Sequence, residues 1–217
     1  MTPAELRETL EVSVFPDDLF AENCFIIRRR DTSHCLVVDP GLQVRRVQDV
    51  LHRDALQVER ILVTHGHIDH VAGVPALRRE QGTVVAMHPD DLAILDWDQL
   101  AGLPFLPEGF APFDVDEPLA HGMTIRFEDL ILKVLHTPGH TQGSVCFLFG
   151  LDCFAGDTLF QRGIGRTDLP GGDMAKIVFS IRNVLYRLPP KTVVYPGHGP
   201  TTTIEEEQLL NPFVPAS

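Results

Sequence analysis

The sequence predicts an α/β fold in which two β-sheets pack together with helices on their outer faces. The chain has 217 residues, 44% of them hydrophobic, which is enough for one large core and short for two domains. Short β-rich runs alternate with amphipathic helical patterns in both halves of the chain. In each half a strand also runs into a polar segment that contains Gly-His. We therefore expect one domain over residues 1–217, with a functional site at one edge of the sheets.

The first half alternates strands and helices. Strands are predicted over "EVSVFP", "NCFIIRR" and "HCLVVDPG", which are separated by turn residues. A helix over residues 44–56 places one apolar face toward the core, formed by Val44, Val47, Val50, Leu51 and Ala55. A buried strand "VERILVTH", a helix over residues 70–82 that ends at Gly82, and a strand "TVVAMH" follow.

The middle of the chain, residues 97–121, shows no periodic pattern and is rich in Pro, Gly and Phe. Long irregular segments in compact domains are often functional. We consider two interpretations, a lid or substrate-facing loop and a packed connection.

Strands resume after residue 122 with "MTIRF", "LILKVLHT", "SVCFLFG" and "DCFAG". A tight turn at Gly150 would bring Cys146 opposite Cys153 without a bond between them. A helix over residues 173–187 and a strand "KTVVYPGHG" follow. The last element is a short acidic helix, "TIEEEQLL", which Thr203 is expected to cap.

Composition and charge disfavour some function classes. The net charge of −12 disfavours nucleic acid as a partner, because binding to a phosphate backbone needs a basic surface. No run approaches the roughly 18 apolar residues of a membrane helix, so we expect no membrane partner. The first residues lack the pattern of a secretory signal, which favours the cytoplasm. The four cysteines form no CxxC pair and are expected to be buried thiols.

The segment "ILVTHGHIDH" ends a strand with four groups that can bind a metal. His65 and His67 are two positions apart, so in an extended chain they point to the same side. Asp69 and His70 fall in the first turn of the next helix. Ordinary hydrogen-bonded histidines are the alternative, but four titratable groups this close are costly to hold together without a cation. Borderline divalent metals prefer these imidazole and carboxylate ligands.

Three later strand ends repeat this pattern with one ligand each, in "LHTPGHTQGS", "FAGDTLF" and "VVYPGHGP". They add His140, Asp157 and His198. The seven candidate metal ligands are His65, His67, Asp69, His70, His140, Asp157 and His198. Seven exceed the needs of one tetrahedral zinc and suit two ions with a bridging carboxylate. The other histidines, predicted to be structural or at the surface, are His34, His52, His88, His121 and His136.

Three residues near these ligands are candidates for substrate binding. Arg162 and Arg166 follow Asp157 and could pair with a substrate carboxylate. For Arg166 the alternative is a salt bridge to Asp168 or to Asp173. Tyr195 could face either the pocket or the core.

The four ligand motifs, in this order, resemble the metallo-β-lactamase superfamily from "NCFIIRR" and "VVDPG" to "YPGHGPTTTI". The resemblance implies a four-layer αβ/βα sandwich, two mixed sheets with helices outside. It further implies one metal on His65, His67 and His140 and a second on Asp69, His70 and His198, with Asp157 bridging them. The lactamases themselves usually lack a histidine matching His70, so antibiotic hydrolysis is not the first expectation.

Within that superfamily, "TPGHTQGS" and "GDTLFQRGIGRTDLPGGD" are similar to the glyoxalase II group, the hydroxyacylglutathione hydrolases, in their short bacterial type II form. This resemblance implies hydrolysis of a thioester such as S-lactoylglutathione by a metal-bridging hydroxide, with Asp69 as the catalytic residue that orients the water. The expected cofactors are two divalent ions, zinc first and iron or manganese as alternatives. The expected partner is a small-molecule thioester, and a homo-oligomer is left open.

Two alternatives remain at this stage. The chain is also similar to the persulfide dioxygenases, which use one iron on residues matching His65, His140 and Asp157. Two histidines and a carboxylate with open positions suit oxygen chemistry on iron. The second alternative is a metal-binding protein with little catalysis.

Overall fold

A computed structural model of the chain describes residues 9–100 and 102–215, without the side chains of residues 98 and 99. Its first sheet holds six strands in sequence order: β1 (Leu10–Pro16), β2 (Asn23–Arg29), β3 (His34–Val38), β4 (Gln57–Leu62), β5 (Val84–Met87) and β6 (Glu117–Pro118). Strands β1 to β3 pair antiparallel, and β3 to β6 pair parallel. The sheet is therefore mixed.

The second half of the chain builds a second six-stranded sheet and a small hairpin. In chain order its strands are β7 (Thr124–Phe127), β8 (Leu130–His136), β9 (Val145–Phe149), β10 (Asp152–Gly156), β11 (Leu159–Phe160), β12 (Gly163–Ile164), β13 (Val193–Pro196) and β14 (Thr202–Thr203). The sheet order is β14-β13-β10-β9-β8-β7, while β11 and β12 pair only with each other. Only the pairing of β10 with β13 is parallel.

The helices are short. They are α1 (Val44–Arg53), α2 (Ile68–Val71), α3 (Val74–Gln81), α4 (Trp97–Leu100), α5 (Met174–Asn183) and α6 (Ile204–Leu210). Two 3-10 segments, Pro89–Ile94 and Leu185–Arg187, complete the regular structure of the described residues. No helix among them is both long and apolar enough to cross a bilayer.

Both faces of each sheet are covered, which gives four layers. In β2, Phe25 and Ile27 point into the cluster between the two sheets, whereas Cys24 and Ile26 point into the cluster under α1 and α3. The outer face of the second sheet packs against α5 and α6 through a third cluster. Successive strand residues point to opposite faces, so an uninterrupted apolar strand is one buried on both sides. The predicted αβ/βα sandwich is confirmed.

Two predicted helices differ in extent. Helix α1 ends at Arg53, and Ala55 lies beyond it, exposed, with a φ of 52°, so Ala55 is not part of the apolar face. The helix predicted over residues 70–82 is two helices separated at Gly73, whose N–H donates to the Pro40 carbonyl (2.8 Å). Gly82 ends α3 as predicted, in the left-handed region with a φ of 64°.

Of two local predictions in the second half, the helix cap is confirmed and the cysteine arrangement is confirmed in part. Thr203 caps α6, and Thr203 and Glu206 form a reciprocal capping box. Cys146 and Cys153 are buried and unbonded on adjacent strands joined by a turn at Gly150, as predicted, but the register pairs Cys153 with Leu148, so Cys146 is not directly opposite it.

The segment 97–121 contains α4 and β6, and its Trp97, Phe113 and Val115 pack against the core cluster under α1 and α3, as expected for a packed connection. The Phe105 ring packs edge-on against Phe20, with centroids 5.4 Å apart, next to the loop that supports His198. The segment therefore reaches the rim of the predicted site.

Strand direction decides where the polar strand ends meet. The parallel strands β3, β4 and β5 place the residues that follow them at one edge of the first sheet. Strands β8, β10 and β13 run in the same direction within the second sheet, because β9 is antiparallel to both β8 and β10. The loops after β4, β8, β10 and β13 thus converge at one end of the sandwich.

Candidate metal centre

All seven predicted ligands lie together at this end of the sandwich. His65, His67, Asp69 and His70 come from the loop after β4 and from α2, while His140, Asp157 and His198 come from the second sheet. Two groups of three have their ligand atoms within 4.8 Å of one another: His65, His67 and His140, and Asp69, His70 and His198. We call them the histidine half-site and the mixed half-site.

In the histidine half-site three ring nitrogens face each other. His140 Nε2 lies 3.2 Å from His65 Nε2 and 2.9 Å from His67 Nδ1. Nitrogens on one tetrahedral zinc lie roughly 3.3 Å apart, given Zn–N bonds of about 2.0–2.1 Å. The three rings therefore have the spacing of a ligand set.

Asp157 lies between the two half-sites. Its Oδ2 is 3.5 Å from His140 Nε2 on one side and 3.5 Å from His198 Nε2 on the other, and its Oδ1 is 3.4 Å from His70 Nε2. Asp69 Oδ2 is 3.3 Å from His198 Nε2 and 3.8 Å from His70 Nε2. A single carboxylate is thus placed to contact ions in both half-sites.

Hydrogen bonds on the outer ring nitrogens fix which nitrogen faces inward unprotonated. His140 Nδ1 donates to the Arg166 carbonyl (2.8 Å), and His198 Nδ1 donates to the Phe20 carbonyl (3.0 Å). His70 Nδ1 donates to Asp39 Oδ2 (2.9 Å). In its neutral form each of these rings then carries its lone pair on Nε2, which points into the centre.

The residues fit divalent cations. Inward-facing lone pairs in the histidine half-site cannot hydrogen-bond to each other and repel at these distances. His70 Nε2 and Asp157 Oδ1 are buried and make no hydrogen bond with any described residue. Buried polar atoms in proteins are nearly always satisfied, so these two atoms require a further partner such as a cation. A bound divalent cation would satisfy both observations.

The electrostatics of the histidine half-site favour neutral rings. Burial and the neighbouring histidines hold the pKa of His65 well below its usual value. Burial, followed by the nearby His140, lowers the pKa of His67 to about 4. Both imidazoles are therefore neutral at physiological pH, the form that binds metal.

In the mixed half-site the electrostatics favour a charged imidazole instead. Burial opposes the charged form of His198, but the Asp157 and Asp69 carboxylates outweigh it and raise the pKa to about 10. Burial would likewise raise the pKa of Asp157, yet His70 and His198 hold it well below the usual value. These carboxylates attract whatever positive charge the site contains, which is a proton or a metal ion.

Sequence reasoning assigned no role to Asp39, which the structure places directly behind the centre. Its Oδ1 accepts from the Thr64 N–H (2.7 Å) and its Oδ2 from the Thr64 hydroxyl (2.6 Å) as well as from His70. The signal was the Pro-Gly that follows "VVD", the same strand–Pro-Gly pattern seen before His140 and His198.

Glu22 and Asn23 were also missed. Glu22 is fully buried, 3.8 Å from His70 Nδ1, and burial raises its pKa well above the usual value. The Asn23 amide donates to the carbonyls of Pro196 (3.0 Å) and Gly199 (2.9 Å), and so holds both sides of the loop that carries His198. Nothing in the local sequence marks either residue, because their partners lie far along the chain.

The predicted substrate-binding residues are placed less centrally. Arg166 forms a two-point salt bridge with Asp168 (2.8 Å each), the alternative left open by the sequence, and is exposed. Arg162 is exposed, and its N–H donates to Glu207 Oε2 (2.9 Å). The Tyr195 ring stacks on Phe154 and packs in the inner core, the second of the two placements considered for it.

Two of the remaining histidines stack on each other outside the centre. The rings of His88 and His136 are 4.2 Å apart with an interplanar angle of 7°. Together with the exposed Asp90, they form another group whose ligand atoms lie within 4.8 Å of one another. His136 Nε2 also donates to the Gln142 carbonyl (2.8 Å), which gives this ring a structural role.

The sequence profile of the metallo-beta-lactamase superfamily matches residues 17–198, which is most of the chain and includes all seven ligands. The chain belongs to the metallo-β-lactamase superfamily. Among curated relatives in this superfamily, the hydroxyacylglutathione hydrolase GloC of Haemophilus influenzae is 32% identical over 94% of this chain and 98% of that protein. The probable metallo-hydrolase YqgX of Bacillus subtilis is 34% identical over 83% of this chain and 87% of that protein.

Solved structures of the superfamily show the same fold. A crystal structure of BLEG-1 B3 metallo-beta-lactamase superposes with a TM-score of 0.84, at 32% identity, over 94% of this chain and 99% of that one. The structure of ETHE1 from Myxococcus xanthus superposes with a TM-score of 0.79 at 30% identity, over 94% of this chain and 84% of that one. The structure of TTHA1623 in a di-iron-bound form superposes with a TM-score of 0.81 at 35% identity, over 93% of this chain and 100% of that one.

Proposed function

We propose that this chain is a metal-dependent thioesterase that cleaves hydroxyacyl thioesters such as S-lactoylglutathione. The observation that carries the proposal is the mixed half-site, Asp69, His70 and His198, beside the histidine half-site with Asp157 reaching both. A single ion in the histidine half-site would leave Asp69, His70 and His198 without a metal to bind. Similarity to GloC supports the choice of substrate.

The proposed cofactors are two divalent ions, zinc first and iron or manganese as alternatives, because imidazole and carboxylate ligands accommodate all three. His65, His67 and His140 would hold one ion, and Asp69, His70 and His198 the other, with Asp157 contacting both. When bound, such ions polarise a carbonyl and lower the pKa of water, each a contribution of several kcal/mol.

Asp69 has the position of a water-orienting residue. Its side chain is 17% exposed, compared with 10% for Asp157, so Asp69 lies on the open side of the centre. A carboxylate there can accept a hydrogen bond from the attacking water and align it with the acyl carbon. The departing thiolate needs little help from an acid, since cysteine-like thiols have a pKa of about 8.5.

Arg162 and Arg166 remain the proposed contacts for a substrate carboxylate. The Arg166–Asp168 pair is exposed on both partners, and exposed pairs contribute only about 0–1 kcal/mol. A substrate carboxylate can therefore replace Asp168 at little cost. The core position of Tyr195 gives it no part in this proposal.

The test combines metal analysis with three assays on the purified protein. We expect close to two ions per chain and turnover of S-lactoylglutathione that is lost on chelation and restored by zinc. A protein that hydrolyses a β-lactam but no thioester would contradict the proposal, and the similarity to BLEG-1 makes that assay necessary.

Persulfide oxidation is the second candidate function. It is favoured by the similarity to ETHE1 and to TTHA1623 in its di-iron-bound form, and His65, His140 and Asp157 alone offer two histidines and a carboxylate. One iron per chain, with oxygen uptake on glutathione persulfide and no thioester hydrolysis, would establish it in place of the thioesterase.

A further inference from the structure

We propose that Asp91 is a positioning residue that sets the metal affinity of the histidine half-site without contacting the ion. This inference rests on the metal binding proposed above. Asp91 lies on the 3-10 segment Pro89–Ile94, 21 or more positions from every proposed ligand, and is fully buried. No motif in the sequence indicates it.

Asp91 joins the two loops that carry the three histidines. Its Oδ2 accepts from the N–H of Gly66 (2.9 Å), the residue between His65 and His67. The same oxygen accepts from the hydroxyl of Thr141 (2.7 Å), which follows His140. Its Oδ1 accepts from the N–H of Gly143 (2.6 Å) in that second loop. One carboxylate therefore fixes both loops relative to each other.

The glycines show how closely the loops approach this carboxylate. A Cβ added at Gly143 would lie 2.7 Å from Asp91 Cγ, and one added at Gly66 would lie 3.1 Å from the Asp91 carbonyl oxygen. Side chains at these two positions would force the loops away from Asp91. The glycines in "HGH" and "TQG" thus have a packing reason that is separate from metal binding.

The charge of Asp91 has no cationic side chain to balance it. No ion pair to Asp91 occurs in the described part of the chain, and all its contacts are with neutral N–H and O–H groups. A buried carboxylate without a cation is costly to maintain. The three histidines next to these loops would hold a divalent ion close to Asp91, and its positive charge would offset the negative charge of the carboxylate.

Asparagine cannot replace Asp91. The carboxylate oxygens accept two backbone N–H groups on opposite sides, and backbone donors cannot reverse their role. In either orientation an amide would direct its NH₂ group at one of these donors, at Gly66 or at Gly143. Asp91→Asn therefore breaks at least one link between the loops while it keeps the side-chain volume.

The experiment is a zinc titration of the metal-free protein in competition with a chromogenic chelator, which resolves the two binding steps. His67→Ala and His198→Ala assign the steps to the histidine and mixed half-sites. We expect Asp91→Asn to lower the zinc affinity of the step that is lost in His67→Ala by about 10–100-fold, which is the usual effect of changing a residue that supports a ligand. The affinity of the other step should not change. Asp90→Asn is the matched control, because it removes the same charge from an exposed neighbouring side chain.

Thr141→Val keeps the test decisive if Asp91→Asn does not fold. It removes one donor to Asp91 and should weaken the same step by a smaller factor. Wild-type affinity in both variants would overturn the proposal. Equal weakening of both steps, together with a lower melting temperature of the metal-free protein, would also overturn it in favour of a general structural role.

Failure of the two-ion proposal would be seen separately. A wild-type protein that binds a single zinc would contradict two ions, and Asp91→Asn would then be judged on that one step. Loss of affinity there would still support the role of Asp91.

Discussion

At the scale of single residues, hydrogen bonds behind the ligands decide what the ligands can do. Asp39 and the carbonyls of Arg166 and Phe20 each accept a hydrogen bond from the outer ring N–H of one histidine and so direct its inner nitrogen toward the centre. Such partners fix the tautomer and raise the basicity of a ligand. The centre is thereby arranged before any ion binds.

Asp69 and His140 should separate the two candidate functions. His140→Ala should abolish activity in either case, since His140 belongs to the ligand set of both. Asp69→Ala should reduce thioester hydrolysis by about 100-fold or more, because it loses a ligand and the water-orienting group. It should leave an enzyme with one iron on His65, His140 and Asp157 nearly unchanged.

The measurement is kcat/KM for each variant at saturating metal, with His52→Ala as a control at an exposed histidine. Equally mild effects of both substitutions would refute the two-ion centre.

Metal binding should release protons, and His198 should supply one of them. With a pKa of about 10 His198 is protonated at pH 7 in the metal-free protein, whereas His67, with a pKa of about 4, is not. An ion must displace the His198 proton, so affinity should rise with pH below about 10, by up to tenfold per unit for each proton displaced.

Calorimetric titration in buffers of different ionisation heat counts the released protons. His198→Ala should lower the count by about one, and His67→Ala should not change it. Binding heats that do not depend on the buffer would contradict this assignment. In the metal-free protein the same raised pKa stabilises the fold below about pH 6.5, and that contribution is lost as the pH rises through about 10.

At the scale of elements, the break between α2 and α3 positions the ligands of the H-x-H-x-D-H loop. The backbone at Gly73 lies against the turn after β3, where the Gly73 N–H donates to the Pro40 carbonyl. The turn after β3 also lies against α2, since a Cβ added at Gly41 would lie 1.8 Å from the Asp69 carbonyl oxygen. One continuous helix could not make both contacts.

Gly73→Ala should therefore destabilise the protein. Its Cβ would lie 2.6 Å from the Gly41 carbonyl oxygen and 2.6 Å from Val44 Cβ, and neither neighbour is a flexible side-chain end. We expect a loss of roughly 1–3 kcal/mol in the free energy of unfolding, the usual cost of overpacking. Urea unfolding measures it.

Gly163→Ala is the control, because its Cβ would meet nothing closer than 3.5 Å. Equal stability of the two variants would show that the close contact at Gly73 relaxes without cost.

At the scale of the whole molecule, the centre joins the two sheets. Four of the seven ligands follow the first sheet and three follow strands of the second, so the ligand set exists only when the sheets pack through their common core. Ions that bind this set stabilise the folded chain relative to the unfolded one.

Chelation should lower the melting temperature. At an ion concentration about 1,000-fold above Kd the stabilisation is about 4 kcal/mol, which corresponds to a shift of roughly 8–16 °C for a chain of this size. Differential scanning calorimetry with and without a chelator measures the shift, which should shrink in His140→Ala. An unchanged transition in a chelated protein that keeps full activity would rule out a metal centre.

Cytoplasmic location, the lack of a nucleic-acid partner and the oligomeric state stay predictions. They depend on the surroundings of the molecule rather than on its interior.

The sequence by itself determined the layers and the ligand types. Apolar strands such as β2, which are buried on both faces, predict a covered sheet. The segment "HGHIDH" predicts a metal site, because it places four metal-binding side chains within six positions. These signals are local, since the periods of strand and helix fix side-chain direction over a few residues. They failed where a helix was interrupted by a distant contact, as at Gly73.

Only the tertiary structure decided what holds the ligands in place. It placed Tyr195 in the core, paired Arg166 with Asp168, and brought Asp91 and Asn23 to loops that are distant in sequence. Such contacts depend on how the two sheets pack. Because periodicity carries no information about which remote loops meet, Asp91 and Asn23 could not be identified as supports of the centre before the fold was known.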